Sequence, residues 1–135
     1  MASYLLDANV LIALLMPEHE HHDRASRWLV GLGTKDRVAL DPVVQGSFIR
    51  YAVRAGVGAQ QAAAVVGAAC RTGGWLFWPD DLDYSDADLA TVRGHKQVTD
   101  TYLAMLAMRH KALLVTFDAA LAARLPGLTI VPQPC

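Results

Sequence analysis

The chain reads as an α/β fold built on a mostly parallel central sheet with helices on both faces, and three observations predict it. Short apolar runs that suit buried strands alternate with helical stretches along the whole chain. These runs are near-continuous rather than alternating in polarity, as expected of strands covered on both faces. Hydrophobic residues make up 53% of the chain and charged residues 19%, a balance that favours a buried core over a disordered tail. A chain of 135 residues can bury roughly two-thirds of its unfolded surface, so residues 1–135 are expected to form one domain with four to five strands.

Ser3–Leu6 is the first strand, ended by Asp7. Ala8–Met16 is helical until Pro17, which lacks a backbone donor and stops it. Glu18–Leu32 resumes as an amphipathic helix, with Ala25, Trp28, Leu29 and Leu32 on one face and Gly31 and Gly33 at its end. Arg37–Leu40 is the second strand, and Asp41-Pro42 breaks the chain before a helix running to Arg54. Beyond Gly56 and Gly58 comes AQQAAAVVGAACR, a small-residue helix closed by Gly73-Gly74. WLFW at 75–78 is the third strand, closed by Pro79. Ser85–Val92 is expected to be helical, with Ser85 as N-cap and Asp88 three residues on, an echo of the capping box. Past Gly94, Thr99–Lys111 is a long helix, Leu113–Thr116 the fourth strand, Ala119–Arg124 a short helix and Leu128–Val131 the last strand.

The bulk numbers exclude several classes. A net charge of −1 exerts no global pull on nucleic acid or anionic lipid, so any such contact needs a local basic patch. The apolar runs fall short of a membrane span and no basic leader opens the chain, so it is expected to be soluble and cytoplasmic. Two cysteines make no disulfide framework: Cys70 suits the core and Cys135 a free terminal thiol.

The acids carry the chemistry. In an open parallel sheet the working site lies beyond the carboxyl ends of the strands. Asp7 ends the first strand, Asp118 follows LLVTF, and Asp100 sits in the first turn of the long helix VTDTYLAMLA. Each alone suits a helix N-terminus, as cap or as partner of the helix dipole. Together at one rim they repel one another unless something positive lies between them. A hard divalent cation with water completing its shell answers that need, and Mg²⁺ or Mn²⁺ is the natural candidate.

In their order LLDANVLI, QVTDTYLAMLA and LLVTFD resemble the PIN-domain family, in particular the VapC toxins of bacterial toxin–antitoxin pairs, over nearly the whole chain. The resemblance implies a Mg²⁺-dependent endoribonuclease that inhibits translation or growth, with Asp7, Asp100 and Asp118 as metal ligands. It implies an RNA substrate, frequently transfer RNA, a homodimer, and a cognate VapB antitoxin lying in a groove by the site. The family's fourth acid, usually Glu, falls in VVQGSFIR at Gln45, which brings no charge. Gln45 is therefore expected to bind water or a hydrogen-bonding partner at the site. Asp41 is the nearest substitute acid, although Asp-Pro equally suits a turn.

Among the supporting residues, the resemblance implies that Asn9 hydrogen-bonds the first carboxylate; by position alone it is a helix-start residue. Thr116 can fix a carboxylate or bind water, and Arg50 can meet the scissile phosphate, pair with an acid, or remain solvated. His19, His21 and His22 lack the further Cys or His that a zinc site needs and are assigned to a polar helix face. His95 and Lys96 suit either RNA backbone or a solvated loop. Two other readings compete: a phosphoryl-transfer enzyme with Asp7 as nucleophile, and a weakened PIN-like module that binds RNA or antitoxin without cutting. Gln45 is the best support for the second.

Overall fold

The computed structural model describes residues 1–134; the expectation for Cys135 lies outside the described residues. Five parallel strands form one sheet in the order 3-2-1-4-5. They are β1 (Ser3–Leu6), β2 (Arg37–Leu40), β3 (Leu76–Phe77), β4 (Leu113–Val115) and β5 (Thr129–Ile130). The helices between them are α1 (Ala8–Leu15), α2 (His22–Val30), α3 (Pro42–Arg54), α4 (Ala59–Gly73), α5 (Val98–Arg109) and α6 (Ala119–Arg124).

Successive strand residues point to opposite faces. Leu5 and Leu6, Ala39 and Leu40, and Leu114 and Val115 are all fully buried, so β1, β2 and β4 are covered on both faces. That burial explains why their sequences lack alternation. The α5 helix is buried continuously from Thr101 to Ala107 and is the core helix of the fold. At roughly 1.5–3 kcal/mol for each fully buried large apolar side chain, this set supplies most of the drive to fold.

Three elements depart from the sequence expectation. β3 is shorter than WLFW and is an edge strand; Leu76 and Phe77 are 40% and 58% exposed, so apolar character there does not mean burial. α2 begins at His22 and not at Glu18, because Pro17 is followed by turns that bond His19 N–H to Met16 O and His22 N–H to His19 O. The helix expected over Ser85–Val92 is absent. A single 3₁₀ turn, Tyr84–Asp86, is capped by Asp83, whose Oδ1 accepts from both the backbone and the hydroxyl of Ser85. Asp88 turns forward to accept from Ala90 N–H, so no capping box forms.

Elsewhere the punctuation is local chemistry. Asp41 caps α3 through Val44 N–H with Pro42 in the first turn. Gly74 ends α4 in the left-handed region at φ +67°, where a side chain would be strained. Cys70 is a free, partly buried thiol packed against the core, and burial pushes its pKa up. Among the described residues no helix is long and apolar enough to cross a membrane.

Candidate active site

The strand order reverses direction at β1, between β2 and β4, and the carboxyl ends there form the expected crevice. Asp7 lies at its centre, 6% exposed, directly after β1. Its Oδ1 accepts from Ala8 N–H at 2.8 Å and its Oδ2 from the Thr116 hydroxyl at 2.8 Å. Burial pushes the Asp7 carboxyl up to about 6 against those two hydrogen bonds, and the charges of Asp100 and Asp118 push the same way. The first carboxylate is thus answered by hydrogen bonds and, among the described residues, by no ion pair.

Thr116, fully buried one residue past β4, organises the site. Its one proton goes to Asp7, and its oxygen accepts from Asn9 Nδ2 at 3.3 Å and from Asp118 N–H at 3.0 Å. Asn9 also accepts from Phe117 N–H at 3.1 Å. Asn9 therefore does not bond the first carboxylate directly, as expected from the resemblance; it reaches Asp7 through the Thr116 hydroxyl. One hydroxyl ties the ends of β1 and β4 together and fixes the spacing of two acids.

Asp118 caps α6, Oδ1 accepting from Leu121 N–H at 3.0 Å. Asp100, half-buried in the first turn of α5, makes no cap; burial raises its pKa, Asp118 adds to that, and Arg124 opposes it. Arg124 donates to Thr91 at 3.1 Å and to Thr101 at 2.8 Å, and its guanidinium is near enough to Asp100 to favour the ionised form. Asp7, Asp100 and Asp118 therefore share one neighbourhood, and capping describes two of them without removing their mutual repulsion.

Two further acids continue the row. Asp41 is fully buried. The β1–β2 register pairs Leu5 with Ala39, so Asp7 and Asp41 stand two steps on, each just past the end of neighbouring strands. Asp41 Oδ1 accepts from Val44 N–H at 2.9 Å, while Oδ2 is buried with no hydrogen-bond partner. Burial raises the Asp41 pKa, and the facing Asp80 carboxyl and the Asp7 charge raise it further. The turn expected at Asp41 is present as a helix cap, but a solvated turn residue it is not. Asp80, exposed, comes from the segment just after β3 and was not singled out from the sequence. The run WPDDLDYSDAD reads as a solvated acidic loop; only the rule that sites gather at carboxyl edges marks Asp80 out.

Other candidates fall elsewhere. Gln45 lies partly buried in the first turns of α3, its backbone N–H bonded to Asp41 O, and its side chain makes no hydrogen bond among the described residues. Arg50 is exposed, donates to Ser47 Oγ at 3.1 Å and pairs with no acid among the described residues. His22 is engaged by Ala13 O, and His21 packs its ring 4.9 Å from that of Phe117, which Arg24 also overlies. His95 and Lys96 lie exposed in a 3₁₀ turn before α5.

The donor set is all carboxylate, which suits a hard cation such as Mg²⁺ or Mn²⁺. Among the described residues no three His, Cys, Asp or Glu side chains converge into a ready cage. Mg²⁺ needs none, since it keeps several waters and takes one or two carboxylates directly. Burial and neighbouring carboxylates raise Asp7 and Asp100, and Asp41 keeps one buried oxygen without a partner, so a cation at this edge would relieve their repulsion.

Comparison with known proteins identifies the family. The PIN domain family model matches residues 4–126. Ribonuclease VapC29 of Mycobacterium tuberculosis is 49% identical over 118 residues, 87% of each chain. Two solved structures share the fold at low identity. A toxin–antitoxin complex from Klebsiella pneumoniae has a TM-score of 0.68 and 16% identity, covering 98% of this chain and 99% of that one. VapC20 of Mycobacterium tuberculosis, described as a sarcin–ricin loop cleaving toxin, has a TM-score of 0.66 and 18% identity, covering 89% and 93%.

Proposed function

The chain belongs to the PIN-domain family, and from that membership we infer that it is an endoribonuclease, the toxin of a VapBC-type toxin–antitoxin pair. Its reaction is hydrolysis of RNA phosphodiester bonds, and its cofactor is Mg²⁺, with Mn²⁺ a substitute. The observation that carries the reading is the acid row at the sheet switch point, with Asp7 and Asp118 joined through Thr116 and Asp100 beside them. Asp7, Asp100 and Asp118 are the residues to hold the ion, which when bound polarises the scissile phosphate and acidifies a water.

The side chains divide the remaining work. Thr116 holds Asp7 and the start of α6 in one register. The α6 cap leaves the second oxygen of Asp118 for the site. Arg124 keeps positive charge near Asp100 and favours its ionised form. None of these acids is asked to act as a proton donor, so their ionised state is the working one, and cation binding competes with the protons that burial retains on Asp7.

The partners follow from the same reading: an RNA substrate such as transfer RNA, a VapB-type antitoxin, and a second copy of the chain, all in the cytoplasm. Structures of VapBC complexes share this fold. The reading as a module that binds without cutting is not favoured, because the relatives carrying the similarity are ribonucleases. Labelled RNA incubated with the purified chain tests the proposal. Cleavage with Mg²⁺ that stops on adding EDTA supports it; intact RNA under both conditions, or cleavage that EDTA leaves unchanged, overturns it.

A further inference from the structure

We propose that Asp41 and Asp80, beside Asp7, hold a second divalent cation and supply the anionic ligands that Gln45 does not. This rests on reading the acid row as a cation site, and it extends that row across β2 and β3.

The geometry is set by the sheet. Asp7 and Asp41 stand side by side at the ends of β1 and β2, by the register that pairs Leu5 with Ala39. β3 joins β2 with Leu40 opposite Phe77, and Trp78 N–H donates to Leu40 O at 2.9 Å, which brings the following Pro79-Asp80 to the same edge. Asp80 and Asp41 face one another closely enough to hydrogen-bond once either holds a proton. With both ionised, Asp41 Oδ2 has no donor, and it is buried with none in the structure.

Nothing else answers that oxygen. Among the described residues no ion pair serves Asp41 or Asp80. Asp81, next in sequence, is engaged away from the pair by Arg109 at 3.7 Å and His110 at 3.5 Å. The Tyr102 hydroxyl, on the α5 side, donates to Leu82 O at 2.8 Å and not to Asp80. A fully buried carboxylate oxygen, opposed by a second carboxylate and next to a third, needs either a shared proton or a cation. At neutral pH beside Asp7, a hard divalent ion bound by the Asp41 and Asp80 carboxylates and completed by water resolves the repulsion at this end of the edge. Gln45, one turn into the helix that Asp41 caps, brings no charge to that helix start.

Calorimetric titration with Mn²⁺, at neutral pH without RNA, tests this on the wild type and three variants. Wild type is expected to bind two ions. Asp80→Asn, at an exposed position that does not threaten folding, weakens one of them at least tenfold and leaves the other within twofold. Asp41→Asn does the same and also reduces the thermal stabilisation produced by Mn²⁺. Asp100→Asn weakens the other ion instead. If wild type binds one ion that Asp80→Asn and Asp41→Asn leave unchanged, the pair shares a proton and the proposal fails, while loss of that ion in Asp100→Asn preserves the nuclease site. Two ions that Asp80→Asn does not disturb overturn it equally. No ion bound by wild type overturns both readings.

Discussion

Asp7→Asn gives a protein that folds more stably without metal and no longer cuts RNA. Burial holds the Asp7 carboxyl at about 6 against an ordinary 3.8, a difference of about two pH units worth about 3 kcal/mol. A carboxyl raised in this way contributes its full stability below about pH 4 and loses it as the pH climbs through about 6. At pH 7.5 the ionised Asp7 therefore weakens the metal-free fold by about 3 kcal/mol. Asparagine keeps the Oδ1 acceptor for Ala8 N–H but leaves the Thr116 hydroxyl without its acceptor, a loss of about 1 kcal/mol. The net gain is about 2 kcal/mol, or a rise in Tm of roughly 6–10 °C. At pH 4.5 the electrostatic gain falls to about 1 kcal/mol and the lost hydrogen bond cancels it. Thermal and urea denaturation in EDTA at both pH values measure this. A variant less stable than wild type at pH 7.5, or a gain that does not change with pH, refutes the buried-acid account.

Two further predictions concern the same edge. Asp100→Asn, which touches no cap, leaves far-UV circular dichroism unchanged and lowers RNA cleavage about a thousandfold or more, the loss of several kcal/mol of transition-state stabilisation. Thr116→Val removes one donor and one acceptor serving Asp7, Asn9 and Asp118. It destabilises by about 2–3 kcal/mol in urea and lowers cleavage tenfold to a hundredfold, on the order seen when a ligand-orienting group is lost; Thr116→Ser recovers both.

The fold was readable wherever apolar runs meet simple punctuation. β1, β2 and β4 are short hydrophobic segments ended by Asp or Thr, and Pro17, Pro42 and Gly74 mark helix boundaries by their own stereochemistry. It was unreadable where short polar side chains compete for the same backbone groups. Ser85 and Asp88 satisfy the pattern of a capped helix, yet Asp83 takes the Ser85 donors first. The site shows the same division. Asp7, Asp100 and Asp118 follow from strand ends and helix starts. The burial of Asp41 depends on the parallel register with β1, and Asp80 lies in an acidic loop whose approach to β2 comes from the edge strand β3. Asn9 acts on Asp7 through an intervening hydroxyl, a relation between residues 107 apart in the chain that spacing alone does not reveal.

The most direct test of a shared cation is anomalous diffraction from crystals of the wild-type chain soaked in Mn²⁺. The account predicts a peak among the carboxylates of Asp7, Asp100 and Asp118, with waters completing its shell. Mn²⁺ located only elsewhere on the surface, with those three carboxylates unbridged, contradicts it.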